Sequence, residues 1–250
     1  MKKSMLLGGL TLTATLLLAG CGKSDDVLVV GTNAAFPPFE YVGGQSGDEI
    51  KGFDIDLAKQ IAKDAGKTLK VENMKFDSLI VALNSGKIDF IASGMTITAE
   101  RQANVNFSEP YYEATQVVLV NKDNKDNKDN NSINTLEDIK GKHFAVQLGT
   151  TADIMSKKYT QNITAFNTGF EAIMELKNSK VDLVLFDSEP AANYLAKNPE
   201  LKMIKLDFPA EFYGFAVSKE QPELLASINK TLANMKADGQ YQTLVSAHIK

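Results

Sequence analysis

Leu83-Asn84-Ser85-Gly86-Lys87-Ile88-Asp89-Phe90-Ile91 and Leu176-Lys177-Asn178-Ser179-Lys180-Val181-Asp182-Leu183-Val184 are two versions of one pattern, a helix end, a polar turn and an apolar strand. A second pair precedes them in the same order. Val29-Val30-Gly31-Thr32 is matched by Val146-Gln147-Leu148-Gly149-Thr150, each a strand that breaks at Gly-Thr. Strands alternating with helices within each half imply parallel α/β lobes, and two such halves imply a bilobed α/β molecule with a cleft between the lobes.

The first echo runs directly into Ser93-Gly94-Met95-Thr96-Ile97-Thr98-Ala99-Glu100-Arg101. A strand that ends in Ser-Gly and turns into a helix near Thr98 gathers free backbone N–H groups and hydroxyls at one point, which suits a small anion such as a carboxylate. Arg101 adds a guanidinium fork. The same residues also describe an ordinary corner, with Thr98 as N-cap and Arg101 on a solvated helix face.

Upstream, Val27-Leu28-Val29-Val30 reads as a buried strand, followed by Asn33-Ala34-Ala35-Phe36-Pro37-Pro38-Phe39-Glu40-Tyr41, whose paired prolines exclude helix. Gly43-Gly44 and Gly47-Asp48 signal a hairpin, and Gly52-Phe53-Asp54-Ile55-Asp56-Leu57 enters an amphipathic helix that ends before Gly66. Leu69 to Glu72 reads as a strand. Phe76, Leu79, Ile80 and Leu83 recur at helical spacing. Between the halves, Glu113 to Val120 is a β-branched run long enough to cross from one lobe to the other, and Phe212 to Val217 is a strand near the end. Leu224 to Met235 is a helix stopped by Asp238-Gly239, and it returns the chain to the first lobe.

The chain has 250 residues, 44% apolar and 8% aromatic, enough for two lobes that each bury a core. Its formal charge is -4. Removal of Lys2 and Lys3 with the leader leaves 25 basic against 31 acidic residues, or -6, and nothing in that balance points to nucleic acid or an anionic membrane surface as partner. Residues 1–20, with Lys2, Lys3 and a Leu-rich run, have the layout of a signal peptide, and 21–26 form a polar tether. Leu18-Ala19-Gly20-Cys21 resembles the lipobox of bacterial lipoproteins, in which the cysteine becomes the lipidated N-terminus; a plain secretory leader with a coincidental cysteine is the alternative. With a single cysteine in the chain there is no structural disulfide.

Asn121 to Asp129 is a charged tripeptide repeat that fits a solvated loop, and its three aspartates lack the bidentate Glu of a calcium loop. His143 and His248 have no Cys or carboxylate at ligand spacing and read as surface or structural residues. Neither a metal nor a cofactor is expected.

Phe36-Pro37-Pro38-Phe39, Gly52-Phe53-Asp54-Ile55-Asp56, Ser93-Gly94-Met95-Thr96 and Arg101, in that order, resemble the polar amino-acid receptors of bacterial ABC importers, solute-binding family 3. The resemblance runs from Val27 to the C-terminus and implies a periplasmic-binding-protein fold of type II, two α/β lobes joined by two crossing strands. The expected lobes are 27–114 with 213–250, and 115–212. It implies that Arg101 pairs with the ligand α-carboxylate, helped by Ser93, Gly94, Met95 and Thr96, with Gly149, Thr150 and Thr151 as the partner loop. Asp187 matches the aspartate that receives the α-ammonium, and it also stands where an N-cap for Ser188-Glu189-Pro190 is needed. Phe36 and Phe76 match aromatics that sandwich the ligand side chain.

Asn33 occupies a position that is acidic in some receptors of cationic amino acids. Glu40, Tyr111 to Gln116 and Ile173 to Leu176 nevertheless resemble arginine and lysine receptors, so a basic amino acid is expected, with glutamine or another neutral polar residue as the alternative. The implied protein is a monomer, lipid-anchored outside the cytoplasm and delivering a free L-amino acid to an ABC permease. The same fold also hosts a cyclohexadienyl dehydratase, for which Glu40 or Glu189 are the available acids; no triad pattern supports an enzyme.

Overall fold

The computed structural model describes residues 26–44, 46–123 and 132–249. The leader, Cys21, the tether up to residue 25 and residues 124–131, which include most of the tripeptide repeat, lie outside the described residues.

Two five-stranded sheets share one strand order. The first runs Thr68–Asn73, Val27–Thr32, Phe90–Ile91, Ala216–Val217, Asn106–Phe107, and the second runs Ile163–Phe166, Phe144–Gln147, Leu183–Asp187, Gln116–Asn121, Leu201–Ile204. The two echoes of the sequence therefore occupy matching strands. In each sheet the first three strands are parallel and the fourth is antiparallel to the third. This corrects the expectation of parallel sheets. The reason lies in the connections: Gln116–Asn121 and Ala216–Val217 are each laid down just after the chain has crossed from the other sheet, and so enter from the opposite end.

The crossings are Tyr112–Ala114 and Glu211–Tyr213, which pair antiparallel with Phe212 opposite Glu113. Expected strand 212–217 is thus two pieces, 211–213 and 216–217, broken where a Cβ on Gly214 would stand 2.9 Å from Ile97.

Alternation along the strands builds the cores. Leu28 and Val30 face the helices Phe53–Asp64 and Pro222–Ala237, with Leu57, Ile61, Ile228 and Leu232, while Val29 faces Leu79, Leu83 and Ile88 on the other side. In the second sheet Val118, Val120, Phe144 and Leu185 point one way, and Val117, Leu119, Ala145 and Val184 the other. Each fully buried Leu or Ile contributes about 1.5–3 kcal/mol of transfer free energy, so the two-faced strands carry most of the stabilisation without a cross-link.

The helix expected from Phe76 begins as a 3-10 turn, Phe76–Ser78, and continues as Leu79–Asn84. Asp238-Gly239 stops one helix, as expected, but Gly239 at φ 83° then starts another, Gln240–His248, docked on the helix 53–64. Among the described residues no helix is long and apolar enough to cross a membrane.

Candidate functional site

The carboxyl ends of the strands in both sheets open onto one cavity. It encloses about 400 Å³ of empty space, open solvent at its mouth included. The cleft is closed, bridged by hydrogen bonds from Arg101 to Gly149 and from Gln147 to Asn33.

Arg101 sits at one end, 7% exposed. Thr98 caps its short helix by accepting from the Arg101 N–H at 3.2 Å. That confirms the N-cap but not a solvated arginine, because the guanidinium is turned inward. It donates to the Thr96 carbonyl at 2.7 Å and, across the cleft, to the Gly149 carbonyl at 3.1 Å, and it lies 5.3 Å over the Phe76 ring. Burial lowers its pKa, opposed by the charges of Glu211 and Asp187. Its remaining N–H groups are the natural seat for a carboxylate.

Beside it, Ser93 accepts from the Asn33 N–H at 3.0 Å and donates to Glu40 Oε1 at 3.1 Å. The Gly94 N–H does not stand free, as the turn suggested. It donates to Asp54 Oδ2 at 2.9 Å, because the first turn of helix 53–64 is packed under it. Gly94 has φ 48°, and a Cβ there would meet the Phe36 ring at 2.7 Å, so only glycine fits. Burial, with the Asp54 charge next, holds Glu40 well above the usual carboxyl range.

From the second sheet comes Asp187, buried at the helix start 188–195 but making no side-chain cap. Its carboxylate instead accepts from the Gln116 amide at 3.0 Å and from the Tyr213 hydroxyl. Burial and then the Glu211 charge push it up to about 7. Glu211, on a crossing strand, accepts from the hydroxyls of Thr151 at 2.8 Å and Thr96 at 3.1 Å and from Gln116 at 3.2 Å. One carboxylate thus ties together the two threonines expected to serve a ligand. Gln147 donates to Asn33 Oδ1 at 3.0 Å, another bond across the cleft.

Phe36 meets Phe186 edge-on at 5.5 Å and, with Phe39 and Tyr213, forms the apolar wall. Of the residues expected at the site, Asn33, Phe36, Glu40, Phe76, Ser93, Gly94, Thr96, Arg101, Thr150, Thr151 and Asp187 line the cavity. Met95 does not; it is 1% exposed in the core beneath the first sheet. Gly149 enters only through its carbonyl.

A family model of the bacterial extracellular solute-binding proteins, family 3, matches residues 28–250. The chain belongs to that family. It is 35% identical over 243 residues to the arginine-binding extracellular protein ArtP of Bacillus subtilis (strain 168), covering 92% of this chain and 91% of that protein. It is 33% identical over 276 residues to the glutamine-binding protein GlnH of the same organism, covering 100% and 98%. Among solved structures it resembles an ancestral arginine-binding protein bound to glutamine (TM-score 0.82, 42% identity, 91% and 99% covered). It also resembles the ancestral amino acid-binding protein AncCDT-1, a precursor of cyclohexadienyl dehydratase (TM-score 0.80, 39% identity, 90% and 96% covered).

Sequence reading of this solute-binding protein missed Gln147 and Phe186 in the lining, and Gln116, Tyr213 and Glu211 just behind it. Gln147 carried a signal, a lone amide in the apolar run Phe144-Ala145-Val146. The histidines are structural: His143 bonds Thr164 at 2.9 Å and His248 bonds Asp56 at 2.8 Å. No cluster of metal-ligating side chains occurs among the described residues.

Proposed function

We propose that this solute-binding protein captures a free L-amino acid, preferring a basic one, and hands it to an ABC permease as a monomer anchored through lipid on Cys21. The lobes are 27–114 with 213–250, and 115–212. Arg101, Thr96 and Thr151, with Ser93, Gly94 and Thr150 around them, hold the α-carboxylate, and Asp187 holds the α-ammonium. Phe36 and Phe76 flank the side chain, and Asn33 and Glu40 meet its end.

The observation that carries this reading is the placement of charge in a closed cleft, one buried guanidinium, one buried carboxylate opposite it and a further buried carboxyl, Glu40, in the lining. The first two suit the groups common to all amino acids; Glu40 suits a cationic end. The relatives named for arginine support it. Glutamine is the second reading, favoured by the Asn33–Gln147 amide pair and by the relative named for glutamine. The dehydratase link runs through a precursor that is itself described as an amino-acid-binding protein, and transport receptors, not enzymes, are the curated relatives.

A thermal-shift panel of the twenty amino acids tests this. A ligand at a thousand times its dissociation constant stabilises the native state by about 4 kcal/mol, and arginine and lysine are expected to lead. A larger shift with glutamine than with either would replace the basic reading.

A further inference from the structure

Beneath the Ser93-Gly94 turn two carboxyl groups are buried together, where one would serve a cationic ligand. Glu40 is 1% exposed and Asp54 fully buried. Each has one oxygen satisfied: Glu40 Oε1 by the Ser93 hydroxyl at 3.1 Å, and Asp54 Oδ2 by the Gly94 N–H at 2.9 Å and the Tyr111 hydroxyl at 2.6 Å. Glu40 Oε2 and Asp54 Oδ1 have no donor in the structure, and the two groups are neighbours, held by adjacent residues of one turn, with the Asp54 charge raising Glu40.

Two ionised carboxylates are acceptors only, so in a dry site these oxygens would both stay unsatisfied beside a like charge. A single proton turns one of them into a donor and satisfies both. The surrounding groups do not remove that need. Asp187, on the second sheet, adds negative charge, while Tyr111, Tyr213 and Tyr241, from the crossing segments and the last helix, are all shifted upward and neutral. Arg101 donates to the Thr96 and Gly149 carbonyls and to neither of these acids, and His248 bonds Asp56 on the same helix as Asp54.

We propose that Glu40 and Asp54 share one proton beneath the cavity and release it when a cationic side chain enters, so that Asp54, acting through Glu40, positions the pair to distinguish a charged ligand end from a neutral one. This rests on the basic-ligand reading. In the step, the Glu40 O–H bond breaks, the proton passes to a buffer base, and the Glu40 carboxylate accepts a hydrogen bond from the ligand's guanidinium or ammonium group. A neutral amide brings no charge to balance a second carboxylate, and the proton stays. Burial, which raises Glu40 well above its ordinary range and Asp54 to about 6, keeps the proton in place near neutral pH.

Titration calorimetry at pH 7 in buffers of different ionisation enthalpy counts the protons released. Asp187 contributes equally for every amino acid, so the readout is the difference between arginine and glutamine. Arginine is expected to release more, by close to one proton, and Asp54→Asn to reduce that difference by half or more. Because Asp54 also anchors Gly94 and Tyr111, difference infrared spectra of the unmutated protein provide a second measurement. In the arginine-minus-glutamine spectrum, where the shared change at Asp187 cancels, a protonated-carboxyl band should be lost with arginine, and that difference should be absent in Glu40→Gln. Equal proton release by the two ligands, or an arginine-minus-glutamine spectrum without that loss, overturns the inference and leaves the basic-ligand reading standing. An absence of binding heat with arginine and lysine brings down both.

Discussion

Phe90–Ile91 and Leu183–Asp187 are the third strands of their sheets and end at corresponding places on the cavity, yet they deliver charge differently. The second strand ends directly on a carboxylate, Asp187, held from behind by Gln116 and Tyr213. The first ends on Ser93-Gly94 and borrows its acids from outside the sheet, Glu40 from the start of the strand Glu40–Gly43 in a small separate antiparallel sheet and Asp54 from a helix, both of which lean on that turn. The same topology therefore supports a fixed charge on one side and an adjustable one on the other. A charge fixed to a strand end suits a group every ligand shares, whereas one presented from a separate small sheet can be exchanged without disturbing the main one.

Breaking the fixed side should have the largest effect. Asp187→Ala and Arg101→Ala each strand a buried charge, and calorimetry should show arginine, lysine and glutamine all losing roughly 3–5 kcal/mol, two to four decades of affinity. Affinity lost for one ligand alone would mean that Asp187 reads a side chain. The same carboxyl governs how the free protein responds to pH. Its folded pKa of about 7 lies above the unfolded value near 3.8, so the native state binds the extra proton and its contribution to stability is lost as pH rises between those values. Melting temperatures measured from pH 4 to 8 should fall through that window, less steeply in Asp187→Asn.

Glu211 offers the next effect. It occupies the Thr96 and Thr151 hydroxyls that a ligand carboxylate needs, and hydrogen bonds to a charged group contribute about 1.5–3 kcal/mol. Glu211→Ala should therefore tighten binding of all ligands, by about tenfold or more in calorimetry. Weaker binding would assign Glu211 to the ligand rather than against it. The adjustable side should give the smallest and most selective change. Phe36→Ala and Phe76→Ala are expected to reorder arginine, lysine and glutamine by about 0.5–2 kcal/mol, since stacking and cation-π contacts depend on what the ligand presents.

Much of this was legible in the chain because repeated hydrophobic periods report backbone path directly; of the two expected Gly-Thr breaks, Gly149-Thr150 lie beyond their strand, whereas Gly31-Thr32 do not break theirs but are its last two paired residues. Eleven of the expected site residues line the cavity, and the family resemblance rather than periodicity pointed to them: only Asn33, Ser93, Gly94, Thr96 and Thr150 lie outside helices and strands, while Phe36, Glu40 and Asp187 are on strands and Phe76, Arg101 and Thr151 on helical turns. Strand direction was not legible, since an antiparallel fourth strand has the same apolar composition as a parallel one. Gln116, Tyr213 and Glu211 escaped because they lie on or beside the crossing strands, where a β-pattern says nothing about which end faces a cleft. The occupied Gly94 N–H was hidden as well, because its partner Asp54 is 40 residues away in sequence.

The pairing of Tyr112–Ala114 with Glu211–Tyr213 has a mechanical consequence. Two separate strands would act as independent joints, each free to twist and swing. Hydrogen-bonded side by side they form a short two-stranded ribbon, stiffer than either strand alone and soft chiefly to bending and twisting. Any relative motion of the lobes about such a hinge is expected to follow one path, returning Asp187 and Arg101, carried on opposite sides, to the same separation.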